Sequence, residues 1–266
     1  MKNEHGYTLI TGGTKGIGLE LARLFAQEGH NLILVARTES DLKQTAQELK
    51  ANSGVDVITI AKDLFDTENA RALCREITNR NLLVNILVND AGQGHYGKFQ
   101  DNAIEDELAI VNLNISSLLI LTKHFLKGML ARSEGKILNL SSIAGKVPGP
   151  YQAVYHGTKA FVQSFTEAIR SEVKDSGSAV TITALLPGAT DTDFFNKAGM
   201  NASKIVQNSE LDDAAQVAKD GYEALMAGKD KVISGFKNKA QVAMANITPD
   251  EMAANNMLKQ QEPANK

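Results

Sequence analysis

Short apolar runs alternate with longer amphipathic stretches over the first two-thirds of the chain. The runs at 7–11, 31–36, 56–61, 86–89, 136–141, 181–186 and 231–235 have the length of strands. Several are continuously apolar, such as 32–36 and 182–186. A strand buried on both faces reads that way, as in a parallel sheet covered by helices. Between the strands, 17–28 sets Ile17, Leu21, Leu24 and Phe25 at helical spacing and stops at Gly29. The stretches 39–52, 67–80, 104–131 and 155–175 read as further helices, with Gly54 and Gly177 just past two of them. This alternation predicts right-handed βαβ units and an α/β fold: a three-layer, doubly wound parallel sheet with helices on both faces.

The pattern breaks after Pro187. Residues 188–208 have no clean period and hold Phe194, Phe195, Gly199 and Met200, which predicts a loop or short helices beside a site. A helix resumes over 211–226, and 236–266 is polar and rich in Ala, Asn and Gln. That extension is expected to carry a helix or two packed on the surface or to be partly unstructured. No repeat or linker divides the chain, so 1–266 reads as one domain with its core over 6–235.

Composition narrows the classes of function. A hydrophobic share of 43% supports a sizeable core and excludes a disordered chain or a fibre. The net charge of −3 offers no basic field, so a nucleic-acid partner is not expected. Cys74 is the single cysteine, so no intrachain disulfide forms, and the five histidines show no metal-ligand spacing. The leading residues are polar and no uninterrupted apolar run has the length of a membrane span. The expectation is a soluble, cytoplasmic protein with no membrane partner.

Two clusters carry chemistry. The run Thr11-Gly12-Gly13-Thr14-Lys15-Gly16-Ile17-Gly18 joins a strand to a helix. Glycines remove Cβ atoms from the turn, and the helix N-terminus that follows presents N–H groups to a phosphate. Farther on, Tyr155 and Lys159 stand at i and i+4 on one helical face. A phenol with a pKa of about 10 is a poor base at neutral pH, and a nearby ammonium lowers that value.

These elements, in this order, resemble the short-chain dehydrogenase/reductase family, in its compact single-domain branch. The resemblance spans residues 6–235 and rests on the TG-x3-G-x-G turn, Asn89-Asp90-Ala91-Gly92, Ser142, Tyr155-x3-Lys159 and the run from Pro187 to Thr192. It implies a Rossmann-type oxidoreductase that moves a hydride between a nicotinamide and a carbonyl or secondary alcohol. In that reading Tyr155 is the general acid/base, Lys159 lowers its pKa and holds ribose, and Ser142 orients the carbonyl. Asn112 is the amide of a proton relay. Gly12, Thr14, Lys15, Gly16, Ile17 and Gly18 cradle the phosphates. Asp63 and Leu64 meet the adenine, and Asn89, Ala91 and Gly92 line the same cofactor. Pro187, Gly188, Thr190 and Thr192 stand beside the nicotinamide.

One position departs from the family. Asp90 stands where the family has a second Asn, and a carboxylate accepts hydrogen bonds but does not donate like an amide. The cofactor's identity turns on Arg37, which follows the second strand where an NAD site places an acid. With Lys15 in the turn and Thr38 adjacent, the expectation is NADP(H) preferred over NAD(H). Substrate contacts are expected from Gln93, Tyr151 and Phe194, and more loosely from His95, Tyr96, Ile143, Pro150 and Phe195. These suggest a moderately apolar ketone or aldehyde. His156 points off the Tyr/Lys face and is assigned no chemistry. The helices at 104–131 and 155–175 carry apolar residues on more than one face, including Leu118, Leu119, Phe161 and Phe165. The family pairs these helices into homodimers or homotetramers. A catalytically silent NADPH-binding regulator is the alternative, and the intact Ser, Tyr, Lys and Asn set argues against it.

Overall fold

Residues 6–208 and 210–264 are described by the computed structural model. The continuous apolar runs become seven parallel strands: β1 (Tyr7–Thr11), β2 (Asn31–Ala36), β3 (Val57–Ala61), β4 (Val84–Asn89), β5 (Lys136–Leu140), β6 (Thr181–Leu186) and β7 (Lys231–Ile233). Their order is β3-β2-β1-β4-β5-β6-β7. The chain therefore reverses direction across the sheet between β1 and β4, and the crevice at their carboxyl ends is where such sheets bind ligands. Register brings Thr11 level with both Val35 and Asn89, so the glycine turn starts beside the ends of β2 and β4.

Alternate residues of each strand enter different cores. Leu9, Ile33, Leu87, Ile137 and Ile182 face α3 (Thr67–Asn79) and α5 (Leu118–Arg132), packing with Leu73, Leu121 and Phe125. Ile10, Leu34, Val88, Leu138 and Leu185 face the other way. They meet α1 (Gly16–Gln27), α2 (Glu39–Ser53) and α9 (Ala214–Met226) through Leu21, Phe25, Leu42, Val217 and Leu225. Both faces are thus sealed, which is why the strands needed no polar face. Gly54, at φ 69°, ends α2 in the left-handed region. Asp66 caps α3 by accepting the Glu68 N–H.

The helix Ile104–Arg132 is continuous and contains α4 (Ile104–Val111), a π-helical turn (Asn112–Ser117) and α5. By length and composition it is long and apolar enough to cross a membrane; 44% of its most apolar window is buried in the protein. Its neighbour α6 (Ala153–Asp175) begins two residues earlier than the apolar pattern suggested.

The C-terminal extension takes the first of its two expected forms, a pair of helices packed on the surface. It folds into α10 (Phe236–Ala245) and α11 (Asp250–Gln261). The irregular segment carries α7 (Phe194–Lys197) and α8 (Lys204–Asn208); α11 lies against α8, and α10 against the turn at Ile143–Lys146. Ala264 N–H donates to Ala202 O at 2.8 Å, Ser203 bridges to Pro263, and Lys204 Nζ meets Glu262 at 2.6 Å. Only Asn238, Val242, Ala253, Met257 and Gln261 of the two helices are buried. So few inward side chains leave no visible apolar period, which is why the sequence did not choose between helices and an unstructured end.

Candidate active site

One cleft of about 650 Å³ runs along the carboxyl ends of the strands, from the glycine turn to α10 and α11. At its nucleotide end Gly12 and Gly16 take φ of 75° and 55°. A Cβ on Gly16 would lie 2.9 Å from Thr192, and one on Gly18 would lie 2.5 Å from Gly12 O. The loop is thus a backbone cradle that side chains would fill. Thr14, Lys15, Gly16 and Ile17 line the cleft, while Gly18 faces inward over Asp90. Thr11 Oγ1 accepts the N–H groups of Asp90 (3.2 Å) and Ala91 (3.1 Å), pinning the end of β4 to β1.

The Asp90 carboxylate accepts the Gly18 N–H beneath that loop. Burial pushes its pKa up to about 7, against the opposing pull of Lys159. Burial likewise pushes Lys159 down to about 8, with Asp90 opposing. The family's Asn is replaced here by an acceptor that serves the loop backbone and faces an ammonium.

At the far mouth, the Arg37 guanidinium lies 5.2 Å over the Phe65 ring. Lys15 Nζ stands 3.7 Å from Asp41, an exposed and weak pair. Thr38 and Lys62 complete this rim. Asp63 lines the cleft with Leu64, and its Oδ1 also accepts the Phe65 N–H at 3.1 Å, a turn bond. Phe65 had no sequence signal beyond its place after Asp63-Leu64.

Ala91 and Gly92 line the cleft, but Asn89 does not. Its Nδ2 donates to Thr122 Oγ1 (3.0 Å) and Asn139 Oδ1 (2.8 Å) inside the sheet. Asn89 thus ties β4 to β5 and reaches the cofactor region through the strand end alone.

At the Tyr155 end Ser142 Oγ accepts the Ala144 N–H at 3.1 Å and sits 3.3 Å from Pro187 O, to which it donates. The Tyr155 phenol hydrogen-bonds Ser142. Lys159 Nζ donates to Leu140 O at 2.8 Å and lies 5.8 Å from the Tyr155 ring centre. Burial dominates the phenol and pushes it up to about 12, while the Ser142 bond pulls the other way. The lowering expected from Lys159 is not seen in this structure: enclosure sets the direction for the phenol, and the Lys159 ammonium is committed to Leu140 O.

The relay amide is also corrected. Neither Asn112 nor Asn114 lines the cleft; Asn114 is the amide that packs against cleft-lining Gly92, beside Lys159. Asn114 Oδ1 accepts the Gln93 N–H (3.0 Å), and its Nδ2 donates to Gln93 O (2.9 Å) and Thr158 Oγ1 (3.0 Å). Its Oδ1 and Lys159 Nζ flank one point above Gly92, 3.4 and 3.3 Å from a Cβ placed there. The π-helical turn at Asn112–Ser117 causes the change, because a wider turn shifts the phase of every side chain on it.

Pro187, Gly188, Thr190 and Thr192 line the wall opposite the glycine turn, and Gln93, Ile143, Phe194 and Phe195 line the substrate end. Tyr151 does not: at φ 65° it stacks on Tyr96, ring centres 5.4 Å apart, outside the cleft. Its left-handed backbone turns the ring away. His95, Tyr96 and Pro150 are also absent from the lining. Instead α10 and α11 supply Val242, Met257 and Gln261, so the pocket is not made by sheet-edge loops alone.

His156 joins the two parts. Its Nδ1 lies 2.9 Å from Val147 O, a carbonyl that only accepts, so Nδ1 carries the proton. Nε2 then accepts from Gln261 Nε2 at 3.0 Å, and burial holds the ring below its usual pKa, in the neutral form. Tyr96 Oη donates to Gln261 O, a second tie on the same residue.

Comparison with known proteins agrees with this geometry. The family model for the short chain dehydrogenases matches residues 7–203. The chain is 29% identical to the ketoacyl reductase HetN of Nostoc sp., over 91% of this chain and 78% of that protein. It is 35% identical to a very-long-chain 3-oxoacyl-CoA reductase of Laccaria bicolor, over 65% of this chain and only 52% of that protein. Among solved structures, a short-chain dehydrogenase from Sphingobium yanoikuyae in complex with NADPH superposes with a TM-score of 0.80 at 26% identity. That match covers 94% of this chain and 99% of the other.

Proposed function

The chain belongs to the short-chain dehydrogenase family of oxidoreductases, and from that premise we propose that it is an NADP(H)-dependent carbonyl reductase. The observation that carries the reading is the Tyr155 phenol bonded to Ser142, with Lys159 one turn on, in the cleft that holds the glycine turn. Those residues fit a dinucleotide: the glycine backbone suits the diphosphate, and Lys159 and the strand ends face the ribose and nicotinamide side. Bound there, NADP(H) supplies or accepts the hydride.

The protein's own part is to hold the carbonyl and move one proton. Ser142 and Tyr155 offer two O–H donors to a carbonyl oxygen, stabilising the negative charge that grows on it. Tyr155, kept protonated by burial, gives its proton to that oxygen. Lys159 returns a proton toward the phenol, and the Asn114 side-chain carbonyl oxygen, flanking the same point above Gly92, accepts hydrogen bonds there. In the oxidative direction the steps reverse and Tyr155 accepts the proton.

Arg37 and Lys15 support the choice of NADP(H). The end of β2 carries no carboxylate, and the guanidinium stacked on Phe65 is placed to take a ribose phosphate in paired hydrogen bonds. We place the enzyme in the cytoplasm, acting on small carbonyl or alcohol substrates, as a homodimer or homotetramer. The exposed Ile104, Leu108 and Phe161 support association through α4 and α6.

Tyr155→Phe tests the mechanism. Turnover, read as oxidation of NADPH with a panel of ketones and aldehydes, should be lost while NADPH affinity survives. A variant that keeps near-normal turnover overturns the assignment. Wild-type protein that binds NADPH tightly and reduces nothing favours a silent regulator instead.

A further inference from the structure

The charge of Asp90 bears on two parts of the site at once. On one side is the glycine turn. A Cβ built on Gly12 would lie 2.8 Å from Asp90 Oδ2, and one built on Gly18 would collide with the same atom. The carboxylate accepts the Gly18 N–H, one of the amides that α1 leaves unpaired in its first turn. On the other side is the Lys159 ammonium, which attracts the carboxylate and opposes the effect of burial on it. Lys159 Nζ lies 3.3 Å from a Cβ placed on Gly92, two residues past Asp90.

The other charged groups on the surrounding elements have partners of their own. Lys15 in the turn faces Asp41 at 3.7 Å, and Glu20 and Arg23 of α1 pair at 2.7 Å. Asp193, next to the Thr192 that touches Gly16, pairs with Lys197 at 3.3 Å. On α6 the Tyr155 phenol bonds Ser142, and β1 ends on the uncharged Thr11, which accepts the Asp90 N–H. The fold therefore asks one helix N-terminus to serve two anions. A carboxylate holds it from beneath the turn, and the diphosphate of a dinucleotide is expected in the cleft above. Negative charges sharing one such end oppose each other and favour the protonated acid. The family's Asn could not respond. A carboxyl can, and enclosure has already brought this one to about 7.

We propose that Asp90 links cofactor binding to a proton: its carboxylate takes up one proton from solution when a dinucleotide diphosphate settles on the glycine turn, and returns it on release. The proton passes from buffer to a carboxylate oxygen and no other bond changes. The neutral acid keeps its C=O for the Gly18 N–H and no longer opposes the phosphates. Affinity for the diphosphate therefore falls as pH rises through neutrality. The inference rests on the dinucleotide-binding reading above and adds to it a control by pH that acts through the floor of the turn.

Infrared difference spectra of the whole protein at about pH 8, with and without NADPH, test this, because the free carboxyl is mostly ionised there. The C=O band of a protonated carboxyl should appear on binding, shift when the aspartates carry carbon-13, and be missing in Asp90→Asn. Where Asp90→Asn does not fold, Asp90→Glu replaces it, and its band should no longer respond to labelled aspartate. ADP-ribose, which has the diphosphate but no nicotinamide and no titrating phosphomonoester, should give the same band. Its dissociation constant should rise about five- to tenfold between about pH 6 and about pH 8. Binding without the band, a band that survives Asp90→Asn, or a band seen with NADPH but not with saturating ADP-ribose overturns the proposal and leaves the cofactor reading standing. Wild-type protein that binds neither NADPH nor NADH defeats the cofactor reading itself.

Discussion

Replacing Arg37 by alanine should shift the enzyme's choice of cofactor without harming its chemistry. Arg37 is exposed at the end of β2 and its guanidinium rests on Phe65 at 5.2 Å. A hydrogen bond to a charged group contributes about 1.5–3 kcal/mol, and each 1.4 kcal/mol is tenfold. At an exposed, salt-screened rim the lower half applies, so kcat/KM for NADPH should fall by about 10–30-fold. The value for NADH, which has no ribose phosphate, should move less than about twofold. Arg37→Asp should go further, because it places a carboxylate against the phosphate and offers a ribose hydroxyl an acceptor. Phe65→Leu removes only the stacking support, worth about 0.5–1 kcal/mol, and should cost about two- to fivefold with NADPH. Steady-state kinetics with both cofactors at two ionic strengths measures all of this, and the wild-type preference should shrink at the higher salt. Equal losses for NADPH and NADH in Arg37→Ala would refute the reasoning, since the residue would then be holding the fold of the rim.

Asp90 and the helix surfaces give further tests. Asp90 has its pKa raised by burial from 3.8 to about 7, so its burial is tolerated while it is protonated and wild-type stability is lost as pH rises toward and through 7. Asp90→Asn removes that slope: its stability relative to wild type should improve by on the order of 2 kcal/mol between pH 5 and pH 8, tempered by the loss of a counter-charge for the buried Lys159. Parallel denaturation curves at the two pH values would show that the carboxylate titrates normally. For assembly, the pair Leu108→Glu and Phe161→Glu should convert a dimer or tetramer to monomer in sedimentation; wild-type protein that is already monomeric at micromolar concentration disposes of the proposed interface.

How much of the site could be read in advance depended on whether a residue's role is local. The glycine turn, Ser142, Tyr155 and Lys159 were legible because each sits at the end of a strand or the start of a helix, where a few neighbours in sequence fix its direction. Asn112 failed for a specific reason. Helical periodicity assumes a constant turn, and within the π-helical turn at Asn112–Ser117 it is Asn114 that packs against Gly92 and Gln93 beside Lys159. Tyr151 failed because its positive φ turns the ring onto Tyr96, a backbone choice that no apolar pattern records. Asn89 was placed at the right strand end, but its side chain points along the sheet to Asn139, which is 50 residues away.

By itself, the sequence determined the alternation of strands and helices, the doubly wound sheet and the order of chemical groups along its carboxyl edge. Those follow from periodicity and from glycine and proline, which act over a turn or less of chain. Tertiary structure alone decided the back wall of the pocket and the charge states inside it. Gln261 reaches His156 across 105 residues, and the pKa values of Asp90, Lys159 and Tyr155 are set by how much protein encloses them. Burial is a sum over neighbours from many distant segments, and that sum exists only once the chain has folded.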